Sequence, residues 1–491
     1  MVLSWILPSL LVEFKYEDEY RTILIEASPA ESIEFPKNVV KIKSSTVVNR
    51  QITEHQLEPL RHVLKYLSFE TGSLLESLGV GTFSSFTELI SVNLSMCNHL
   101  KNISSGAFQN SNLNQIFLPM NGELSGIDSA AFENTNLKSI TIPDSIKYFS
   151  GISENEVNGA MFFNCKLLKE IIISENSSLT RIGYAFAQHA PVKKFFIPKN
   201  CMISPGSFSL MDNLSVTIDP RNPYMKMYDT CIYSFNFDSL YWLPVYYPNQ
   251  FSFHSYCDTI ETQAFRGYKI NNDLVIPKGI STIKVGAFFE CNCRSIIFQN
   301  EMTETPNYYL FLGSHAVIKM PEKLRVVRSM FFQRFDGSYI EFLSDMQMIE
   351  SECFINCTYL EMIKFNKLKN NMIIDSNSFY NCESLKLLPF PFDSSDIITF
   401  NSTCLNRCKS FKGIKFYIIV PRKIMNFNVD KKLIEIDVKT SNSNGIIIDC
   451  GKFHVKDPFD DKCHIPIYSC NRFHSTLGFY YFYVFIAIAI E

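Results

Sequence analysis

Apolar residues recur along this chain in short, spaced groups that do not follow the continuous register of an amphipathic helix. In the recurring group a small residue precedes a large apolar residue, and a second small residue, often cysteine, comes three positions later. More apolar residues follow at three-residue steps, as Leu385 and Leu388 do after Cys382. Alternation over such short runs is typical of half-buried strands. The pattern therefore predicts short strands joined by tight turns, with few regular helices.

The large apolar residue, which we call the marker, returns at nearly regular intervals. The markers are Phe83, Phe108, Phe132, Phe162, Phe186, Phe208, Phe265, Phe288, Phe331, Phe354, Phe379 and Leu405. Most successive gaps fall within the length of about 20–29 residues that is typical of leucine-rich repeats. The two longer gaps, after Phe208 and after Phe288, each leave room for one divergent unit.

Proline commonly ends the alternating run, as at Pro143, Pro198 and Pro277. Proline has no backbone N–H to donate to a β-ladder, so it suits the exit of a strand. A unit this short cannot bury its own apolar side, whereas stacked units bury it together as one core. We therefore predict a leucine-rich repeat solenoid, an α/β-type horseshoe or elongated coil. It should be rich in strands and loops, with one short strand per repeat in a parallel sheet.

The markers and the small residues after them should line the inside of the coil. The predicted repeat core comprises Phe108, Phe132, Phe162, Cys165, Phe186, Phe265, Phe288, Cys291, Phe354, Cys357, Phe379 and Cys382. In this interpretation the recurrent cysteines are small buried groups, because a free cysteine behaves as a small hydrophobe. The odd total of 15 cysteines fits this interpretation better than it fits a disulfide framework.

The repeat resembles that of one particular family. Its unit reads I-x-I-P-x-x-I-x-x-I-x-x-x-A-F-x-x-C-x-x-L-x-x-I, and its best copies lie at 140–150, 275–298 and 349–365. This phrase resembles the leucine-rich repeat of BspA-like surface proteins, the Treponema pallidum type. The segment 217–265 is similar to the hairpin that this family inserts between repeats. The resemblance implies a solenoid on a microbial surface that adheres to host matrix proteins and other cells.

The pattern divides the chain into six segments. They are 1–29, an N-terminal leader or cap; 30–216, leucine-rich repeats; 217–264, a hairpin excursion; 265–420, leucine-rich repeats; 421–476, a C-terminal cap-like segment; and 477–491, an apolar tail. Residues 477–490 carry no charge but are shorter than the roughly 20 residues of a membrane-spanning helix. Membrane association through 477–490 is therefore one of three alternatives, beside a removable lipid-anchor signal and a buried strand.

Composition and motifs narrow the function classes. The net charge is −3 and no long basic run occurs, so we expect no nucleic-acid partner. Neither H-E-x-x-H, nor G-x-S-x-G, nor a P-loop is present, so the sequence offers no catalytic or cofactor-binding motif. We predict a protein that is not an enzyme and needs no cofactor.

One ligand-like cluster occurs near the C-terminus. Its members are Cys450, His454, Cys470 and His474. Two thiolates and two imidazoles at a repeated C-x-x-x-H spacing can satisfy tetrahedral zinc. The alternatives are a cap closed by a disulfide among Cys450, Cys463 and Cys470, or unpaired thiols. Cys231 and Cys257 flank the hairpin. One alternative is that they form a disulfide in an exported chain. The other, which we favour, is that both point inward and are unpaired.

The sequence favours binding over catalysis. We expect a non-enzymatic cell-surface or secreted protein, an adhesin or surface antigen, that binds proteins or glycans on other cells or in the matrix. The adhesive part of this expectation rests on the family resemblance. The alternative is a cytoplasmic interaction scaffold built on the same solenoid, in which the thiols stay reduced.

Overall fold

The computed structural model describes residues 12–42, 46–48, 51–54, 57–149, 160–247, 250–393, 398–400, 404–411, 413–420, 434–435, 446–449 and 452–453. The chain divides into two compact units, Met1–Tyr246 and Tyr247–Glu491. Within the described ranges the helical structure is limited to one 3₁₀ turn, Glu58–Leu60. No helix there is long and apolar enough to cross a bilayer.

The first unit is built from short strands. They are β1 (Phe14–Tyr16), β2 (Ile23–Ala27), β3 (Ser32–Phe35), β4 (Lys41–Ile42), β5 (Thr46–Val48), β6 (Gln51–Glu54), β7 (Tyr66–Phe69), β8 (Ser77–Leu78), β9 (Ser91–Asn93), β10 (Asn102–Ile103), β11 (Gln115–Phe117), β12 (Gly126–Ile127), β13 (Ser139–Thr141), β14 (Tyr148–Phe149), β15 (Glu170–Ile172), β16 (Arg181–Ile182), β17 (Lys194–Ile197), β18 (Met202–Ile203), β19 (Ser215–Ile218), β20 (Met225–Tyr228), β21 (Cys231–Ser234) and β22 (Ser239–Trp242).

Two lines of strands run along this unit, and their pairs are parallel except for β1 and β2, which pair antiparallel. One sheet has the order β1-β2-β4-β8-β10-β12-β14-β16-β18, and the other has the order β11-β9-β7-β3, followed by the pairs β13–β15 and β17–β19. The predicted parallel solenoid is confirmed. Each turn also carries a second strand that the repeat pattern did not predict, because strands of two residues are too short to alternate. The parallel pairing already begins at β2, inside the segment that we assigned to a leader or cap.

The two lines of strands form two sides of each turn. The third side carries the marker and has no strand. Around Phe108, the residues two before and two after it, Gly106 and Asn110, have φ of 61° and 59°. These left-handed residues turn alternate N–H groups toward the next turn: Phe108 N–H donates to Ala131 O at 2.8 Å, and Asn110 N–H to Glu133 O at 2.8 Å. Glycine and asparagine suit this conformation better than other residues do.

The markers form a stacked ladder in the core of the first unit. Phe83, Phe108, Phe132 and Phe162 have ring centroids 5.4, 5.5 and 5.4 Å apart, with interplanar angles of 11°, 1° and 11°. All four are fully buried. Because aromatic rings also contribute pair interactions beyond the area they bury, this ladder fixes the register of one turn against the next.

The ladder slips by one residue at Phe186. The left-handed residues of that turn are Ala185 and His189, which flank Ala187 and not Phe186. Phe186 is buried but meets Phe162 edge-on, at an interplanar angle of 84°. It stacks instead on Phe149, at 5.1 Å and 21°. The marker pattern thus identified a core residue but not its position in the turn.

A three-stranded excursion follows β19, within the predicted hairpin segment. Strands β20, β21 and β22 pair antiparallel. Asp229 and Thr230 lie in the turn between β20 and β21 with φ of 45° and 65°. Positive φ at both central residues is typical of the tight turns that suit hairpins. Trp242 anchors the excursion to the last turn, since its Nε1–H donates to Phe208 O at 3.1 Å.

The second unit has longer strands. They are β23 (Thr259–Ile260), β24 (Lys269–Ile276), β25 (Thr282–Ile283), β26 (Asn292–Phe298), β27 (His315–Met320), β28 (Val326–Val327), β29 (Tyr339–Ile349), β30 (Met362–Ile374), β31 (Leu387–Asp393), β32 (Ile398–Phe400), β33 (Gly413–Val420), β34 (Ile434–Glu435), β35 (Ile446–Asp449) and β36 (Lys452–Phe453). Its main sheet runs β24-β26-β27-β29-β30-β31-β33-β35. The pairs are parallel as far as β33, and β35 joins antiparallel.

The second unit has its own marker ladder. Left-handed Met330 and Arg334 flank Phe332, so Phe332 and not Phe331 occupies the marker position. Phe311 stacks between Phe288 and Phe332, at 5.5 Å and 5.3 Å. It therefore belongs to the divergent unit that the long gap after Phe288 predicted. Adjacent phenylalanines could not be told apart by spacing alone.

Candidate binding surfaces

All predicted core residues lie inside the turns. The twelve are Phe108, Phe132, Phe162, Cys165, Phe186, Phe265, Phe288, Cys291, Phe354, Cys357, Phe379 and Cys382, each at most 1% exposed. They are spread along both units and do not converge on one point. Their arrangement is that of a packed core, so a functional site has to be sought on the outward side chains.

Several recurrent cysteines donate a hydrogen bond to the preceding turn, where the Sγ–H points at the carbonyl of the previous marker. The pairs are Cys165 Sγ to Phe132 O at 2.9 Å, Cys357 Sγ to Phe332 O at 2.9 Å, and Cys382 Sγ to Phe354 O at 3.0 Å. Cys291 differs, since its Sγ donates to Cys293 Sγ at 3.9 Å. Ser314 occupies the same position after Phe311, and its hydroxyl donates to Phe288 O. In these turns the small side chain therefore also supplies a donor, which apolar patterning did not reveal.

Burial keeps these thiols protonated at neutral pH. It raises the pKa of Cys165 to about 11 and that of Cys97 to about 11. The pKa of Cys382 is also raised well above its ordinary value, first by burial and then by the neighbouring thiols. Since the thiolate is the nucleophile and the metal ligand, these cysteines are unsuited to either role.

The other candidate cysteines and histidines form no site in the described structure. Cys231 and Cys257 are buried and do not form a disulfide. Cys450, His454, Cys463, Cys470 and His474 lie outside the described residues, as does the apolar tail 477–491. Among the residues that are described, no group of three or more His, Cys, Asp or Glu side chains is arranged to hold a metal ion.

The first unit presents a sheet face with few charges, which we call the display face. It consists of the outward side chains of β9, β11, β13, β15, β17 and β19. They are Ser91, Asn93, Gln115, Phe117, Ser139, Thr141, Glu170, Ile172, Lys194, Phe196, Ser215 and Thr217. Only Glu170 and Lys194 are charged. Hydroxyl and amide groups therefore share this face with large apolar side chains.

Large apolar side chains are exposed to solvent on the display face and at the corners beside it. Phe117 is 46% exposed and Ile172 is 43% exposed. Met96 and Met120, at equivalent corners after β9 and β11, are 43% and 47% exposed. A single exposed apolar residue is ordinary, but a cluster on one surface marks an interaction site. Methionine is flexible and adapts to partners of different shape.

The sheet of the second unit has a different outward face. Lys319, Glu341 and Lys364 lie side by side in β27, β29 and β30. Lys364 Nζ donates to Glu341 Oε1 at 2.9 Å, and Asn366 Nδ2 donates to the same oxygen at 3.1 Å. Charges that satisfy one another across neighbouring strands stabilise the stack. They leave less for a partner than the display face does.

A family model supports this architecture from the sequence side. The model for the BspA type leucine rich repeat region, in six copies, matches residues 28–153, 76–215, 153–242, 247–361 and 325–430. A search of curated proteins finds no match.

Several solved structures align with this chain. A leucine rich cell surface protein from Faecalibacterium prausnitzii aligns with a TM-score of 0.51 at 18% identity, covering 82% of this chain and 93% of that one. A leucine-rich repeat protein from Eubacterium ventriosum aligns at 0.49 and 16% identity, covering 73% and 90%. The pneumococcal vaccine antigen PcpA aligns at 0.45 and 14% identity, covering 79% and 92%. At 18% identity the likeness to the Faecalibacterium prausnitzii protein concerns the fold alone.

Proposed function

Because the chain belongs to the BspA-type leucine-rich repeat family, we propose that it is a non-enzymatic binding protein, an adhesin or surface antigen. It is displayed on the cell surface or secreted, and its display face binds proteins or glycans of other cells or of the matrix. The observation that carries the proposal is the display face itself. Phe117 on this face, and Met96 and Met120 at the corners beside it, are exposed and have no role in the core.

The chemistry of the face suits extended partners. Hydroxyl and amide groups offer hydrogen bonds, while phenylalanine and methionine are enriched in the buried centres of protein interfaces. A broad sheet face suits a protein or a glycan better than a small substrate, which binds in a concave site. The net charge of −3 gives no electrostatic attraction for nucleic acid.

The protonated, buried thiols support the part of the proposal that the protein is not an enzyme. Burial raises the pKa of Cys165 to about 11, and a protonated thiol is a poor nucleophile. Membrane association through 477–490 stays part of the proposal, and that segment lies outside the described residues.

Antibody staining tests where the protein is displayed. An antibody against the repeats should label intact, non-permeabilised source cells, and purified full-length protein should bind saturably to immobilised matrix proteins or to a glycan array. Labelling only after permeabilisation would contradict surface display and would support the cytoplasmic scaffold instead.

A further inference from the structure

A polar groove lies on the marker-bearing side of the second unit, whereas the display face belongs to the first unit. It is a cavity of about 500 Å³ lined by four successive turns. Six of the eight lining residues have polar side chains: Gln333, Arg334, Asp336, Asn356, Thr358 and Asn381. The volume lies within the range of about 300–1,000 Å³ for small-molecule sites, but such sites are mostly apolar. A lining this polar calls for a ligand rich in hydroxyl groups.

The backbone builds the groove from the left-handed position two residues after each marker. Gly313, Arg334, Asn356 and Asn381 occupy this position in successive turns, with φ of 70°, 53°, 62° and 61°. Gly313 N–H donates to Arg334 O at 2.9 Å, and Asn381 N–H donates to Asn406 O at 2.9 Å. These bonds hold the main chain, so the backbone positions that carry the column are set before any ligand arrives. Such preorganisation lowers the cost of binding.

Two asparagines in the column are oriented by each other. Asn381 Nδ2 donates to Asn356 Oδ1 at 2.9 Å. This bond sets the direction of both amides. It leaves the Nδ2 group of Asn356 as a donor and the Oδ1 atom of Asn381 as an acceptor. A pair of this kind can hold two neighbouring hydroxyl groups of a ligand, each of which both donates and accepts.

Arg334 supplies an unused positive charge at the groove. Its side chain is exposed, and no carboxylate of the described residues lies within ion-pair distance of it. Arg294 and Arg328 of this unit are by contrast paired, Arg294 with Asp273 at 2.6 Å and Arg328 with Glu350 at 2.6 Å. A free guanidinium fork matches a carboxylate in a bidentate geometry.

Asp336 restricts which anions can bind beside Arg334. Its Oδ2 lies 3.9 Å from His315 Nε2, too far for a strong hydrogen bond, so the carboxylate can accept from a ligand. A bare sulfate offers no donor to this carboxylate and would be repelled by its charge. A carboxylate on a ring of hydroxyl groups satisfies both Arg334 and Asp336.

We infer that this groove binds a carboxylate-bearing sugar. Arg334 holds the carboxylate, Asp336 accepts from a ring hydroxyl, and the pair Asn356–Asn381, with Gln333 and Thr358, holds further hydroxyl groups. A terminal sialic acid and a uronic acid share this chemistry, so they are the two sources to be distinguished.

The test measures binding of soluble sugars to the purified full-length chain by saturation-transfer NMR and calorimetry. The probes are N-acetylneuraminate, glucuronate, glucose and sulfate. At least one sugar acid should bind saturably, and Arg334→Gln should weaken it roughly 10- to 100-fold, as loss of a charge-assisted bond does. Arg21→Gln is the matched control, because Arg21 is also exposed and left-handed, with φ of 60°, but lies in the first unit. It should leave binding unchanged.

Several outcomes would overturn the inference. Equal binding of glucose would remove the role of the charge, and sulfate that binds as tightly as the sugar acids would reduce the groove to a simple anion site. Failure of every probe to bind would leave no sugar-acid site. Asp336→Ala should weaken the sugar acid while strengthening sulfate, and the reverse result would contradict the role of Asp336. Since the ligands are free in solution, none of these results depends on surface display.

Discussion

At the scale of single residues, the cysteine three positions after a marker, where one occurs, combines small size with a hydrogen-bond donor. Cys357 fills the inside of its turn and donates to Phe332 O at 2.9 Å. That carbonyl also accepts from Phe335 N–H at 3.0 Å, so the thiol is its second partner. Cysteine at this position therefore needs neither a metal nor a disulfide to explain its recurrence.

Exchanging cysteine and serine tests whether the thiol acts as a hydrogen-bond donor. Cys357→Ser should be tolerated, because a hydroxyl keeps the donor, whereas Cys357→Ala should lower the free energy of unfolding by about 1–2 kcal/mol through the lost bond and cavity. Urea unfolding followed by circular dichroism measures both. The reciprocal change, Ser314→Cys, is the matched control and should also be tolerated. Equal stability of the alanine variant and the wild type would contradict the donor role.

The raised thiol pKa values predict a pH dependence of stability. Cys97 and Cys165 have pKa values raised by burial from 9.0 to about 11. Above pH 9 the unfolded chain loses these protons while the folded chain keeps them. The contribution of these thiols to the free energy of unfolding should therefore be fully present below about pH 9 and be lost as the pH rises toward 11. Urea titrations between pH 7 and pH 11 measure it, with Cys97→Ser expected to reduce the slope.

At the scale of the element, the turn is defined by its left-handed residues as much as by its marker. Phe108 lies between Gly106 and Asn110, and their positive φ values let three N–H groups in five residues bond to the next turn. Asparagine two residues after the marker recurs at Asn134 and Asn164. Asn134 Nδ2 donates to Asn110 Oδ1 at 2.8 Å, which ties these turns together through their side chains.

A glycine substitution tests the left-handed turn. Gly106 has φ of +61°, and a Cβ there would lie 3.3 Å from Gln109 Oε1. Gly106→Ala should therefore lower the free energy of unfolding by about 1–2 kcal/mol. Gly279 is the matched control, since its φ is ordinary and a Cβ would meet only Cys257 O at 3.8 Å. Gly279→Ala should be neutral or stabilising by up to about 1 kcal/mol. Similar losses from both changes would contradict the conformational argument.

The marker ladder is the element that sequence reasoning located best. Phenylalanine is large and easily seen at a spacing of one turn, so the ladder from Phe108 to Phe162 followed from the pattern. The slip at Phe186 and the choice between Phe331 and Phe332 did not. In both cases the left-handed flanking residues decide the position, and they include Ala185 and Met330, which carry no turn signal.

The candidate surfaces were harder to predict than the core. Outward side chains obey no apolar period, so neither the display face nor the groove stood out in the sequence. A usable signal did exist for the groove, because Asn356 and Asn381 occupy the same place after their markers. The second strand of each turn escaped notice because strands such as β10 have two residues.

At the scale of the whole molecule, each unit is a stack in which a turn contacts mainly its neighbours. Stability in such a stack is close to a sum of local terms. Phe132→Ala should cost about 3–5 kcal/mol locally and lower amide protection in the adjoining turns between 108 and 165. Hydrogen exchange should find the second unit unchanged by this substitution. Uniform loss of protection along both units would contradict the local character of the stack.

The central claim concerns the display face, and one binding measurement tests it directly. Full-length Phe117→Ser/Met120→Ser protein is compared with wild type for saturable binding to the matrix protein or glycan that the wild type binds. Tyr359→Ser is the control, because Tyr359 is 60% exposed and belongs to the second unit. Exposed substitutions change stability by no more than about 0.5 kcal/mol, so folding should be unaffected. The account predicts that binding falls at least about tenfold in the face variant and stays unchanged in the control. Unchanged binding by the face variant would contradict it.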